Sequence, residues 1–357
     1  MAKLYPMSLD LRADLASLLI RIVDVESVSG NEAMLADLVE EALRLPHLDV
    51  HRDGDCVVAR THLGRSERVV IAGHLDTVPV VDNLPARREG DVIWGRGTVD
   101  MKGGVAVMLQ LAAELTAPSK DITWIFYDNE EVQASKNGLG RLAANRPDLV
   151  EADFAVLMEP TGAEIEGGCQ GTIRAVFDLQ GQAAHSARAW MGHNAIHDLA
   201  PILDALVRYE PREIEVEGLT FREGLNAVTV SGGLASNVIP PSATLAVNYR
   251  FAPDKTADEA VAHLREVFGN VGFRLDDVSP AARPGLDRPL ARAFVEAVGG
   301  EAKPKFGWTD VARFSELGIP AVNYGPGDPS LAHRDDERCP IDHLERCATG
   351  LRAWLAH

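Results

Sequence analysis

Gly73-His74-Leu75-Asp76-Thr77-Val78-Pro79 follows directly on Val69-Val70-Ile71-Ala72, so a histidine and a carboxylate stand where a wholly apolar run gives out into a loop. A run this short and continuous reads as a strand buried on both faces, the kind found inside a parallel sheet. Runs of the same texture lie at 56–59, 122–127 and 154–158, and a small-residue apolar helix is expected at 103–115. Upstream, Leu11, Leu15, Leu18, Leu19 and Ile22 fall at helical spacing. Ser29-Gly30-Asn31-Glu32 reads as a capping box opening a second helix that Pro46 stops. Buried strands alternating with helices predict an α/β fold, a mostly parallel sheet covered by helices. Sites in such sheets gather at the carboxyl ends of the strands.

Charged residues stand at those ends. Asp100 lies in Gly95-Arg96-Gly97-Thr98-Val99-Asp100-Met101-Lys102-Gly103-Gly104, Glu130-Glu131 follows the 122–127 run, Glu159-Pro160 closes the 154–158 run, and Ala332-His333 comes near the C-terminus. Taken singly, each has a bland reading: a loop pair, a turn before a helix, a solvated helix start. Charge at the end of an apolar strand is expensive without a compensating partner. Five such signals in order describe two histidines and several carboxylates meeting at one place. That is the parts list of a two-metal hydrolytic site. A mixed nitrogen and oxygen set suits Zn²⁺, with Co²⁺ or Mn²⁺ as substitutes. Residues two apart in an extended segment share a face, so Asp76 is expected to orient the ring of His74. Hydrolysis also needs a carboxylate without ligand duty to carry the proton. Other motifs fail: Asp100 occupies the place of a third dinucleotide-loop glycine, and Lys102 is not followed by Ser or Thr. No G-x-S-x-G elbow exists.

From about residue 171 the texture changes. Strands at 172–179, 227–234, 244–251 and 272–278, with helices at 194–207 and 257–268, give a β-α-β-β-α-β order. That order is ferredoxin-like, with antiparallel neighbours. Pro280, Pro284 and Pro289 mark a return, and 321–324 is expected as a further strand of the first domain. The domains are therefore expected at 1–170 with 284–357, and at 171–283 as an insert. At 357 residues the chain exceeds the size at which one core keeps growing.

A net charge of −18 argues against nucleic acid, which needs clustered Lys and Arg, and against an anionic membrane surface. No run approaches membrane-spanning length, and Met1–Pro6 lacks an apolar signal core. Cys56, Cys169, Cys339 and Cys347 form no C-x-x-C pair and read as reduced thiols. A cytoplasmic location is expected.

Together with Ala184-His185-Ser186, these motifs resemble the dimetal deacylases, the family of aminoacylases, acetylornithine deacetylases, zinc carboxypeptidases and succinyl-diaminopimelate desuccinylases. The resemblance spans nearly the whole chain. It implies that His74 and Glu159 bind one zinc, that Glu131 and His333 bind the other, and that Asp100 bridges them, its own bond to Met101 being cis. Asp76 would brace His74, and Glu130 would be the general base. The small domain would form a homodimer, with His185 steadying the carbonyl oxygen in the partner's site. Asn237, Arg250, Thr309 and Gly325 match positions near the substrate, a small N-acyl amino acid. Gly168-Cys169-Gln170-Gly171-Thr172, Gly307-Trp308-Thr309-Asp310 and Asn323-Tyr324-Gly325-Pro326-Gly327 point to the desuccinylases. Gln170 stands where some desuccinylases carry an arginine. Acetylornithine deacetylase, a general N-acyl-amino-acid hydrolase, a dipeptidase and a non-catalytic metal-binding protein on the same fold are the alternatives.

Overall fold

Arg-Val-Val-Ile-Ala-Gly-His at 68–74 has no polar face, so it is stable only with cover on both sides. In a computed structural model, which describes residues 8–356, it forms the strand Arg68–His74. The expectation resting on Met1–Pro6 falls outside the described residues. This strand pairs in parallel with Asp121–Tyr127 on one side and Phe154–Leu157 on the other, and Ala321–Asn323 continues the parallel set. Cys56–Arg60, Asp49–Asp53 and Glu166–Gly167 add antiparallel flanks to what is an eight-stranded sheet. Val69 and Ile71 face a core shared with the helices Leu15–Val23, Ala33–Ala42, Lys102–Glu114, Pro289–Val298 and Ile341–Ala356. Val70 and Ala72 point to the opposite face and are equally buried. The central α/β sheet is thus mainly parallel and covered, as the sequence pattern implies.

Lys102–Glu114 is buried almost all round, including Gly103, Val107 and Leu111, as its small and apolar composition requires. Two local expectations fail. The first helix starts at Leu15, not near Leu11, because the Asp14 carboxylate accepts from the N–H of Ser17 and caps it there. Ser29 and Glu32 make no capping box; no side chain caps Ala33–Ala42, and both residues are used at the site described below.

The chain divides into two compact units, Met1–Gly167 with Pro284–Lys303 and Thr309–His357, and Gly168–Arg283 with Pro304–Trp308. In the second, Gly224–Gly232, Ser242–Phe251, Gly171–Gln180 and Arg274–Ser279 form an antiparallel sheet in that spatial order. Ile173, Ala175 and Phe177 point inward against Ala257–Phe268, while Thr172, Arg174 and Asp178 alternate outward. The helix expected at 194–207 begins at Ala200, after a 3₁₀ turn at His197–Leu199, with Pro201 in its first turn. An unexpected hairpin, Glu213–Val216 with Leu219–Arg222, turns through Glu217 and Gly218, both at positive φ. Among the described residues no helix is long and apolar enough to cross a membrane. All four cysteines are buried and free.

Candidate metal centre

The parallel strands deliver their charged residues at one end. His74 is the last residue of Arg68–His74, Glu130 and Glu131 follow Asp121–Tyr127, and Glu159 follows Phe154–Leu157. Asp100 sits immediately before Lys102–Glu114, and the Asp100–Met101 peptide is cis. His333 comes just after the short turn Pro329–Leu331 and holds a φ of 65°, a left-handed conformation that costs a non-glycine residue energy.

Asp100 is the centre of the group. One of its oxygens lies 3.1 Å from His74 Nε2 and the other 3.2 Å from His333 Nε2. His333 Nε2 is also 2.9 Å from a Glu131 oxygen. Donor atoms of His74, Asp100 and Glu131 lie within 4.8 Å of one another. Two imidazoles and two carboxylates facing inward, one histidine wholly buried, form a set whose chemistry fits a borderline divalent cation. Glu159 is buried at its strand end and is not among those three convergent residues.

Asp76 does more than orient a ring. The nearest acceptor to His74 Nδ1 is the Asp76 backbone carbonyl, at 3.0 Å, with the carboxylate at 3.4 Å. That carboxylate accepts from the backbone N–H of both Glu130 and Glu131, at 3.0 Å each, and from the Ser29 hydroxyl at 2.7 Å. Asn129, just ahead, sits at φ 58°, which asparagine tolerates. Its N–H donates to Glu32 (3.1 Å), which also accepts from Gly30 N–H (2.9 Å). Ser29, Glu32 and Asp76 therefore fix the turn that carries Glu130 and Glu131.

Electrostatics follow from this crowding. Burial, then the neighbouring Glu159, Asp310 and Glu131, pushes Glu130 well above the usual carboxylate range, with His74 acting against them. Burial opposes charge on Asp100, but His333 and His74 outweigh it and hold its pKa down. Asp100 and Glu131 hold His333 up at about 10.

The residues matched to substrate positions fall in different settings. Thr309 is buried and its hydroxyl donates to Asn323. Gly325 N–H donates to Thr161. A Cβ at Gly325 would lie 2.2 Å from the Met158 carbonyl and 2.5 Å from that of Glu159. Glycine is required there for that close approach. His185, Asn237 and Arg250 belong to the second unit. His185 is exposed, its Nδ1 accepting from Ala187 N–H, and the Asn237 carbonyl accepts from Ser186 N–H. Arg250 is half-buried on Ser242–Phe251, and burial lowers its pKa. Gln170 is buried and donates to the Arg222 carbonyl.

A covered, mainly parallel sheet with histidines and carboxylates converging at its strand ends defines a hydrolase fold of the metallopeptidase kind. The model of peptidase family M20/M25/M40 matches residues 70–357, and the chain belongs to that family, as an amidohydrolase. It is 51% identical over 351 residues to a Mycobacterium tuberculosis (H37Rv) protein provisionally named succinyl-diaminopimelate desuccinylase DapE, covering 97% of this chain and 99% of that one. It is 45% identical to the succinyl-diaminopimelate desuccinylase of Corynebacterium glutamicum, over 98% of each chain. The aminopeptidase PepT from Bacillus cereus shares the fold, with a TM-score of 0.79 at 19% identity over 98% of each chain.

Proposed function

We propose that this chain hydrolyses the amide of N-succinyl-LL-2,6-diaminopimelate to succinate and LL-2,6-diaminopimelate, with two Zn²⁺ per subunit. The observation that carries the amide chemistry is Asp100, which meets His74 with one oxygen and His333 with the other. The choice of acyl group is supported by the near full-length likeness to two proteins bearing the desuccinylase name.

His74 and Glu159 would hold one cation, Glu131 and His333 the other, with Asp100 between them. Bound divalent cations supply Lewis acidity toward a carbonyl and make water more acidic. Glu130 takes a proton from the attacking water and returns it to the leaving nitrogen. It is the one carboxylate of the Glu130-Glu131 pair without ligand duty, as a proton carrier must be. Arg250, a half-buried guanidinium, suits a substrate carboxylate as a bidentate donor. Thr309 and Gly325 stand near the substrate, with the Thr309 hydroxyl donating to Asn323 and the Gly325 N–H to Thr161. The subunits form a homodimer through the second unit, in which His185 of the partner subunit steadies the carbonyl oxygen.

The test is kcat/KM for the succinyl substrate, N-acetylornithine and simple N-acyl amino acids, each with Zn²⁺, Co²⁺ or Mn²⁺. The succinyl substrate should lead by at least tenfold, about 1.4 kcal/mol of transition-state binding. A tenfold preference for either competitor rejects the acyl assignment, and full activity after chelation rejects the metal.

A further inference from the structure

Arg96 and Glu337 are charged, yet they are buried within the first unit, at 3% and 1% exposure. Their side chains pair at 2.9 Å between Arg96 Nη1 and a Glu337 oxygen. Neither touches the imidazoles or carboxylates of the candidate centre; their remaining bonds go to backbone. The second Glu337 oxygen accepts from the N–H of Val99 (2.9 Å) and of Asp100 itself (3.2 Å). Arg96 donates to the Arg334 carbonyl (3.1 Å), next to His333, and to the Pro79 carbonyl (3.2 Å) in the loop that follows His74 and Asp76. The Glu337 carbonyl also accepts from Gly95 N–H, at 3.1 Å.

We infer that the Arg96–Glu337 ion pair is the positioning device of the metal centre, one buried clamp that sets the Asp100 loop, the His333 loop and the His74 loop in register. The inference rests on the metal-site reading above. Two features make it more than a stabilising contact. Asp100 faces both histidines, so a shift of its backbone moves an oxygen away from each of them. His333 holds a strained backbone, and Arg96 grips the carbonyl of the residue that follows it. A buried ion pair is poor evidence for stability, because desolvation offsets most of its attraction; its bonds to three loops give it a specific role instead. Partners one step removed from a ligand govern affinity through orientation, typically about 10–100-fold.

The experiment uses the full chain stripped of metal and titrated with Co²⁺ at 10 °C, read by visible absorption and by calorimetry. Thermal unfolding of the metal-free protein is followed in parallel. In Glu337→Gln and in Arg96→Lys both equivalents of Co²⁺ should bind about 10–100-fold more weakly, with altered absorption bands. At saturating metal kcat should fall while KM holds. A merely structural clamp would lower the unfolding midpoint and leave both affinities as they are in the folded protein. Affinities within threefold of the parent in folded variants therefore overturn the inference. If Glu337→Gln does not fold, Arg96→Lys, which keeps the charge and loses the fork, carries the test. A parent chain that takes up no Co²⁺ overturns the inference together with the metal-site reading, and the parent's own titration tells the two failures apart.

Discussion

Replacing Glu130 by glutamine removes its proton-accepting oxygen and leaves the backbone contacts of the turn in place, since those run through its N–H to Asp76. Glu130→Gln should keep its metal and lose about 10²–10⁴-fold in kcat, the usual weight of a proton-transfer group. Metal analysis beside steady-state kinetics checks both halves, and loss of metal with loss of activity would make Glu130 a ligand. Asp76 separates from it by the opposite signature. Its two oxygens serve the N–H groups of Glu130 and Glu131, so asparagine would set an amide donor against a backbone donor. Asp76→Asn should weaken metal binding by at least about tenfold, as loss of an orienting partner does. Ser29→Ala deletes a single bond to the same carboxylate and should cost only a few-fold. Titration of the three proteins with Zn²⁺ gives the ranking.

At the scale of elements, close approach and buried charge decide what can change. A Cβ at Gly325 would meet the carbonyls of Met158 and Glu159 and press on the strand end that carries Glu159. Gly325→Ala should lower metal affinity as well as stability, read by titration and by thermal unfolding; a change in stability alone would confine it to packing. In the second unit Glu223 is buried and receives Arg212, Lys255, Tyr249 and the N–H of Ala252. Burial opposes its charge, but these donors outweigh burial and hold the pKa at about 2, below the ordinary 4.5. A depressed carboxylate contributes stability above its unfolded pKa and loses it as the pH falls. The parent should therefore lose roughly 3 kcal/mol between pH 4.5 and 2 that Glu223→Gln, already weaker at pH 7, does not lose again. Parallel unfolding curves for the two proteins across that range would remove Glu223 from the account. The ligand-bearing strand ends are legible in the sequence because an apolar run ending in a charge is a local pattern. Ser29 and Glu32 are not, since their partners lie 47 and 97 residues away and the same four residues spell a helix cap. The Arg96–Glu337 pair spans 241 residues and leaves no local trace beyond a charge between two glycines. The hairpin at 213–222 is too short and too polar to stand out from a loop.

For the molecule as a whole, the chain carries −18, yet its second unit exposes large apolar side chains, with Trp190 at 81%, Val207 at 85%, Val230 at 66% and Leu234 at 72%. Val230 lies on Gly224–Gly232, one of the two edge strands of the four-stranded sheet, whose outer side has no partner strand in that sheet. An open edge beside exposed apolar groups is a hazard unless another chain covers it, and in the proposed homodimer a second copy would cover it. Light scattering should give twice the chain mass of 38.5 kDa. Two bodies of the same sign repel, so salt should tighten the dimer rather than loosen it. Val230→Lys with Val207→Glu should yield a folded monomer with little activity, since the proposed role of His185 of the partner subunit would then be lost from each site. The sharper measurement mixes His185→Ala protein with Glu130→Ala protein, each inactive alone. After exchange, a heterodimer has one site with an intact Glu130 and the intact His185 of the partner subunit, so about half of the mixed dimers' sites should recover. An active monomer, or no recovery despite demonstrated exchange, would remove His185 from catalysis and leave the carbonyl oxygen to the groups of a single chain.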